Sequence, residues 1–301
     1  MLSTDSKKQH SQSDKKLSIF VKLLAMLSLV RWYNVLLITI GLYLSSIFML
    51  QEDVSKITVL KELSLHLNIF AIANFIMAGY IINAFYDFEK DMINHPETTV
   101  FDRIISKKFC LNSYIFFLFL GTVLSLFLGW KVFIFNSFFS TGLWIYSHKL
   151  RKKPLTGEMG ASLLSVAPFA SLSLHYMQLN STIFLFVCYI FAITFTREVI
   201  KKMVSLKGDL IVKEKSIPIL FGIRNTKYII LTLMFLSLAP IVFIFPSILL
   251  KPIVYYFGLS SILIISSLYL LKHAKTTTHF NKINNIYKII ITLAVFSIFL
   301  Y

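Results

Sequence analysis

Nine stretches of this chain are apolar over lengths near the roughly 20 residues that a helix needs to cross a hydrocarbon core. That feature sets the fold class. The candidate spans are 29–50, 65–86, 111–129, 130–147, 159–179, 181–200, 228–246, 253–271 and 286–301. The third and fourth abut at Gly129-Trp130, and the last ends at the C-terminus. Composition agrees, with 56% hydrophobic residues, a mean hydropathy of +0.74 and only 15% charged residues. A soluble domain carries roughly 25% charged residues. The expectation is an all-α membrane protein of about nine transmembrane helices, a single domain over residues 17–301. Residues 1–16 read as a disordered polar tail, because they carry mixed charge and no apolar stretch of the secretory type. Apolar positions Leu17, Phe20, Leu23, Leu24 and Leu27 share one helical face, with Lys16, Lys22 and Arg31 around them. This pattern predicts an amphipathic helix lying at the membrane interface before the first span.

A net charge of +16 could suggest nucleic acid, but the placement of the basic residues points elsewhere. Of 30 Lys and Arg, all but Lys56, Lys61, Lys131 and Lys251 fall in alternate connections, starting from the N-terminus. That asymmetry is the positive-inside pattern. It predicts a multi-pass protein of the cell inner (cytoplasmic) membrane, N-terminus in the cytoplasm, attracted to anionic headgroups and not to nucleic acid. The two cysteines, Cys110 and Cys188, form neither a disulfide framework nor a metal-ligand spacing.

Ionisable residues at a membrane edge are costly and usually functional. All nine acidic residues from Asp87 to Glu214 fall on the side predicted to be cytoplasmic, so a polar site is expected at that mouth of the bundle. The first cluster closes the second span. Asn83, Asp87 and Asp91 are spaced i, i+4, i+8, so one helical face carries an amide and two carboxylates. Two acids one turn apart repel unless a cation lies between them, and Mg²⁺ takes one or two carboxylates with phosphate oxygens and water. Taken alone, the pair reads equally well as a solvated helix end. The second cluster, Arg197-Glu198 with Lys201, Lys202, Ser205 and Gly208-Asp209, tips the balance toward a site. Arg197 and Glu198 follow Thr194-Phe-Thr196 with no loop signal between, so they belong to the sixth helix. Gly208-Asp209 and Ser216-Ile-Pro218 read as turns.

Together these segments resemble the UbiA-type intramembrane prenyltransferases, nearest the branch that prenylates geranylgeranylglyceryl phosphate. Asn83, Asp87 and Asp91 match the family's first motif, Asn-x-x-x-Asp-x-x-x-Asp, and Asn94-His95-Pro96 continues it. Arg197, Glu198, Lys201, Gly208, Asp209, Ser216 and Pro218 fit the frame around its sixth helix. Val30-Arg31-Trp32-Tyr33-Asn34 looks like the family's entry to the first helix. Tyr146-Ser-His-Lys149, with Pro154 and Gly157, resembles the connection after the fourth. Three positions depart from the pattern. The second motif, Asp-x-x-x-Asp in the family, reads Ser205-Leu-Lys-Gly-Asp209; Lys202 stands where an Asp is common; Thr98-Thr99 replaces an Arg-Pro pair.

The resemblance implies a prenyltransferase that moves a prenyl group from a polyprenyl diphosphate donor to a lipophilic acceptor within the lipid bilayer. It implies Mg²⁺ held by Asp87, Asp91 and Asp209, with Arg197 as a further catalytic group. Asn83, Lys149, Lys201, Lys202 and Lys107 would contact the diphosphate, and an apolar tunnel would take the prenyl tail. The altered second motif implies either lowered activity or a Lys202 charge doing the work of a second ion. The rival reading is a catalytically degenerate member that binds an isoprenoid or a protein partner. A transporter fits less well, since the charges gather at one edge and no internal repeat is evident.

Overall fold

The computed structural model describes residue 21 and residues 24–94, 106–211 and 215–301; for 88–94 it describes the helical backbone alone. The expected tail, His95-Pro96, Thr98-Thr99 and the side chain of Asp91 lie outside the described residues. Lipid offers no hydrogen-bond partners, so a spanning backbone must satisfy itself within a helix. Accordingly there is no strand among the described residues.

The elements in order are α1 (Trp32–Ser45, extended by a π-helical turn Ser46–Leu50), α2 (Lys56–Lys61), α3 (Leu63–Asn94), α4 (Lys107–Leu126) and α5 (Trp130–His148). They continue as α6 (Thr156–Tyr176), α7 (Ser181–Val204), α8 (Leu206–Ile211), α9 (Ile217–Ile248), α10 (Val254–His273) and α11 (Thr277–Ser297). Seven described helices are long and apolar enough to cross a membrane. The expected spans in α5 and α6 are long enough but more polar, since α5 carries Asn136, Ser137, Ser140 and Thr141 and α6 carries four serines. Residues 24–29 are helical, with Leu24 and Leu27 exposed and Ala25 and Val30 buried against Ile81 and Cys110. That is the arrangement of a segment lying along the bundle with leucines free to meet lipid.

Local chemistry sets the element ends. Ser106 caps α4 by accepting from the Phe109 N–H at 3.2 Å, and Asn180 caps α7 by accepting from Ile183 N–H at 2.8 Å. The boundary between the third and fourth spans falls at Gly129, whose φ of 86° an L side chain rarely adopts. Hydroxyls inside the helices bond back to their own carbonyls, as Thr194 does to Ile190 and Thr196 to Ala192. These bonds make polar side chains tolerable at membrane depth.

The packing leaves two unlike ends. α3 packs along α4 and α5; α7 packs against α6, α9 and α11; α1 closes the ring between α3 and α11. At the sparsely charged end, fully buried Asn136 donates to Ser125 Oγ at 3.1 Å and accepts from Ser171 Oγ at 2.8 Å. Ser171 also reaches Asn68 at 3.1 Å, so the network pins α3, α4, α5 and α6 together. Nearby, Tyr176 donates to Glu62 at 3.0 Å, and Lys251 pairs with Glu52 at 2.7 Å. The other end carries the basic connections and the candidate site.

Candidate active site

The site grows from the basic ends of α3, α6 and α7. Asn83 and Asp87 lie one turn apart on α3, as their spacing predicts. Both turn their oxygens toward one group, the guanidinium of Arg151 in the 3-10 turn Leu150–Lys152 between α5 and α6. Arg151 Nη1 donates to Asn83 Oδ1 at 2.9 Å and forms an ion pair with Asp87 Oδ2. Gly157 makes this turn possible. A Cβ there would lie 2.9 Å from the Arg151 carbonyl oxygen and 3.0 Å from that of Leu150, so α6 could not close on the turn.

α7 contributes the second half. Arg197 and Glu198 stand well inside the helix, as expected from the absence of a loop signal before them. Glu198 accepts from Lys201 Nζ through both oxygens, at 2.8 and 2.9 Å, and lies 3.8 Å from Arg197. Lys202 points across to α6 and pairs at 3.8 Å with Glu158, which is buried. Gly208-Asp209, expected as a turn, sits instead in the short helix α8. A turn and one further turn of helix share the same opening residues, and here packing of α8 on α3 selects the helix. Asp209 is fully buried there and accepts a hydrogen bond from Ser205 Oγ at 3.3 Å. The second motif therefore keeps one carboxylate, with the hydroxyl that replaces the other bonded to it.

The structure thus brings Asn83 and Asp87 together, and gathers Arg197, Lys201 and Glu198 into a second knot. Lys149, at the end of α5, and Lys107, in the first turn of α4, are exposed. Among the described residues neither makes an ion pair with a carboxylate. Arg151 and Glu158 were missed by the sequence reading. Arg151 stands in a run of four basic residues, Lys149 to Lys153, and only the 3-10 turn chooses it. Two clefts, the larger of about 420 Å³ between Met26 and the Phe109–Phe117 face of α4, run along the flank and contain none of these residues.

Whether a divalent cation suits this site can be judged from Arg151. Its single nitrogen meets the amide oxygen of Asn83 and the carboxylate of Asp87 at once, so these oxygens already converge on one positive centre. A hard cation with oxygen ligands asks for the same convergence. Among the described residues there is no cluster of three or more His, Cys, Asp or Glu, the Asp91 side chain lying outside that set.

Comparison with known proteins settles the family. The model of the UbiA prenyltransferase family matches residues 55–289, more than half of the chain. The chain belongs to this family. Among curated relatives, the digeranylgeranylglyceryl phosphate synthase of Korarchaeum cryptofilum is 31% identical over 175 residues, covering 56% of this chain and 61% of that protein. The enzyme of the same name from Pyrococcus horikoshii is 27% identical over 151 residues, covering 50% and 53%. The matched stretch thus spans under two thirds of these relatives. Among solved structures, one of digeranylgeranylglyceryl phosphate synthase in membranes superposes with a TM-score of 0.68 at 22% identity, covering 92% of this chain and 97% of that one. A UbiA homolog from Archaeoglobus fulgidus bound to GPP and Mg²⁺ gives 0.62 at 17% identity, covering 91% and 99%. Both likenesses establish the fold of the family.

Proposed function

We propose that this chain is an intramembrane prenyltransferase that transfers a prenyl group from a polyprenyl diphosphate to a lipophilic acceptor, with a prenylated glycerol phosphate the favoured acceptor. The observation that carries the reading is the convergence of Asn83 and Asp87 on one positive centre beside the Arg197–Glu198–Lys201 knot. The barrier to such a reaction lies in separating a highly charged leaving group from an allylic cation. Positioned cations stabilise that developing charge far better in a water-poor site than in bulk water. Arg151, Arg197 and Lys201 are placed to hold diphosphate oxygens. Asn83, Asp87, Asp91 and Asp209 would hold Mg²⁺, which when bound supplies further positive charge to the departing diphosphate. The basic connections support a cytoplasmic mouth, and α5 and α6 crossing beside the seven more apolar helices would make nine spans. The relatives' names support the choice of acceptor.

A second reading, a non-catalytic family member that binds an isoprenoid, is favoured by the Ser205–Asp209 bond and by Glu158 holding Lys202. One experiment separates the two. The full chain in lipid nanodiscs is given geranylgeranyl diphosphate and a panel of phosphorylated and aromatic acceptors, with and without Mg²⁺. The transferase reading expects Mg²⁺-dependent diphosphate release, and expects Ser205→Asp to raise it. Release absent from the wild type but present in Ser205→Asp supports the degenerate reading.

A further inference from the structure

The flank of α4 carries a polar face that the candidate active site does not use. Among the seven described apolar helices α4 is the least covered, with 17% of its most apolar stretch buried. Lys108, Asn112 and Phe116 are spaced i, i+4, i+8, with Phe109 and Ser113 beside them on the same face. That face runs from charged through polar to aromatic as it enters the membrane. Lys107, Lys108, Phe109, Asn112 and Phe116 are exposed, and Ser113 is half-buried. The helical segment 24–29 lies against it, and Met26 forms the opposite wall of the cleft of about 420 Å³. Such a volume falls within the roughly 300–1,000 Å³ of small-ligand sites. Ala25 and Val30 seat the segment on Ile81 and Cys110, so the cleft opens at the same end of the bundle as Asp87.

Asn112 and Ser113 break the rule that the neighbouring polar side chains obey. Thr122, Ser137 and Ser147 turn back to the Leu118, Phe133 and Leu143 carbonyls of their own helices, at 2.8, 2.8 and 2.9 Å. Among the described residues, the side chains of Asn112 and Ser113 make no hydrogen bond. A polar group that faces hydrocarbon without a partner is costly, so the partner of these two comes from the membrane side. Lys107, expected at the diphosphate, stands instead in the first turn of this same helix, next to Lys108. Among the described residues neither lysine pairs with a carboxylate. At 1.5 Å per residue Asn112 lies about 7.5 Å deeper than Lys107 along the helix axis.

We propose that this face of α4 binds one anionic glycerophospholipid of the surrounding bilayer. Its phosphate lies at Lys107 and Lys108, its glycerol oxygens meet Asn112 and Ser113, and one tail enters the cleft between Met26 and Phe116. The order of chemistry down the helix, cation then hydrogen-bond donor then aromatic, is the order of chemistry down such a lipid. Charge chooses the headgroup, since lysines at the membrane surface draw anionic lipids and an ammonium asks for no fixed fork of oxygens. A soluble anion would satisfy the lysines but leave the amide and the cleft unfilled. Seated there, the lipid braces segment 24–29 against α4. The assignment goes beyond the prenyl-transfer reading and does not depend on it.

The test titrates the purified full chain in detergent with phosphatidylglycerol or phosphatidylcholine of identical tails, read by native mass spectrometry and by the thermal midpoint. The wild type is expected to retain one phosphatidylglycerol at least about tenfold more tightly than phosphatidylcholine, with a rise in midpoint on binding. Lys107→Met/Lys108→Met is expected to abolish that preference. Lys131→Met, which removes an exposed lysine at the far end of the α4–α5 hairpin, is expected to keep it. Asn112→Leu is expected to weaken both lipids alike, by about threefold or more, because the glycerol oxygens are common to both. Failure of the wild type to retain phosphatidylglycerol, equal retention of the two lipids, or a preference that survives loss of both lysines overturns the proposal. Unchanged binding by Asn112→Leu overturns it as well. Should Phe116→Cys cross-link into a stable dimer, the face belongs to a second copy and the proposal fails. Should inorganic phosphate or geranylgeranyl diphosphate displace the lipid, the lysines serve a soluble anion or the donor, and it fails again.

Discussion

Replacing Arg151 by Met keeps most of the aliphatic stem and removes the positive centre on which Asn83 and Asp87 converge. The Arg151 and Asp87 side chains are 20% and 11% exposed, so the pair lies between the buried and surface limits. Breaking a buried pair from one side costs about 3–5 kcal/mol, whereas an exposed pair contributes about 0–1 kcal/mol. The partial exposure places the expected loss at about 2–3 kcal/mol. At about 2–3 °C per kcal/mol this lowers the thermal midpoint by about 4–9 °C. Tryptophan fluorescence of the purified full chain in detergent reads that shift. The double variant Arg151→Met/Asp87→Asn is expected to lose less than the sum of the singles by at least about 1 kcal/mol, because the stranded carboxylate is then gone. Millimolar Mg²⁺ is expected to raise the midpoint of Arg151→Met, since Asn83 and Asp87 then face a cation again, and to leave the double variant unmoved. A midpoint within about 1 °C of wild type, or strictly additive losses, would refute the claim that Arg151 neutralises Asp87.

Other parts of the structure yield simpler outcomes. Gly157→Ala forces a methyl against the Leu150 and Arg151 carbonyls and is expected to cost about 1–3 kcal/mol, whereas Gly258→Ala in α10, which meets nothing within 4 Å, is neutral or stabilising by up to about 1 kcal/mol; paired melting curves check both. Asn136→Leu strands Ser125 inside the bundle while Ser171 keeps Asn68, and one lost partner at about 1–3 kcal/mol predicts a midpoint drop similar to that of Gly157→Ala.

How much of this was legible beforehand depends on which physical signal reports each feature. Apolar length reports the hydrocarbon core, so the spans were found but not the helix ends. The stretch expected at 228–246 is part of Ile217–Ile248, and that expected at 286–301 begins at Thr277. The missed turns carry Arg224, Asn225 and Lys227 in one case and Asn281, Lys282 and Asn284 in the other, polar residues that are helical outside the apolar layer. A hydropathy window cannot see them. Asn83, Asp87, Arg197, Glu198 and Lys201 were legible because helical spacing alone puts them on shared faces. Arg151 was not, because its selection from a basic run depends on a 3-10 turn and on the absence of a side chain at Gly157. Glu158 and Lys202 meet across two helices, which spacing within one helix cannot reveal.

The central claim is that the α3 oxygens belong to a diphosphate-releasing site. The most direct measurement is diphosphate release from geranylgeranyl diphosphate by the full chain in nanodiscs, titrated with Mg²⁺, for wild type and Asp87→Asn. The account predicts Mg²⁺-dependent release by the wild type and a loss of about a hundredfold or more, about 2.7 kcal/mol, in the variant. Release by Asp87→Asn at the wild-type rate and with the same Mg²⁺ dependence would contradict it.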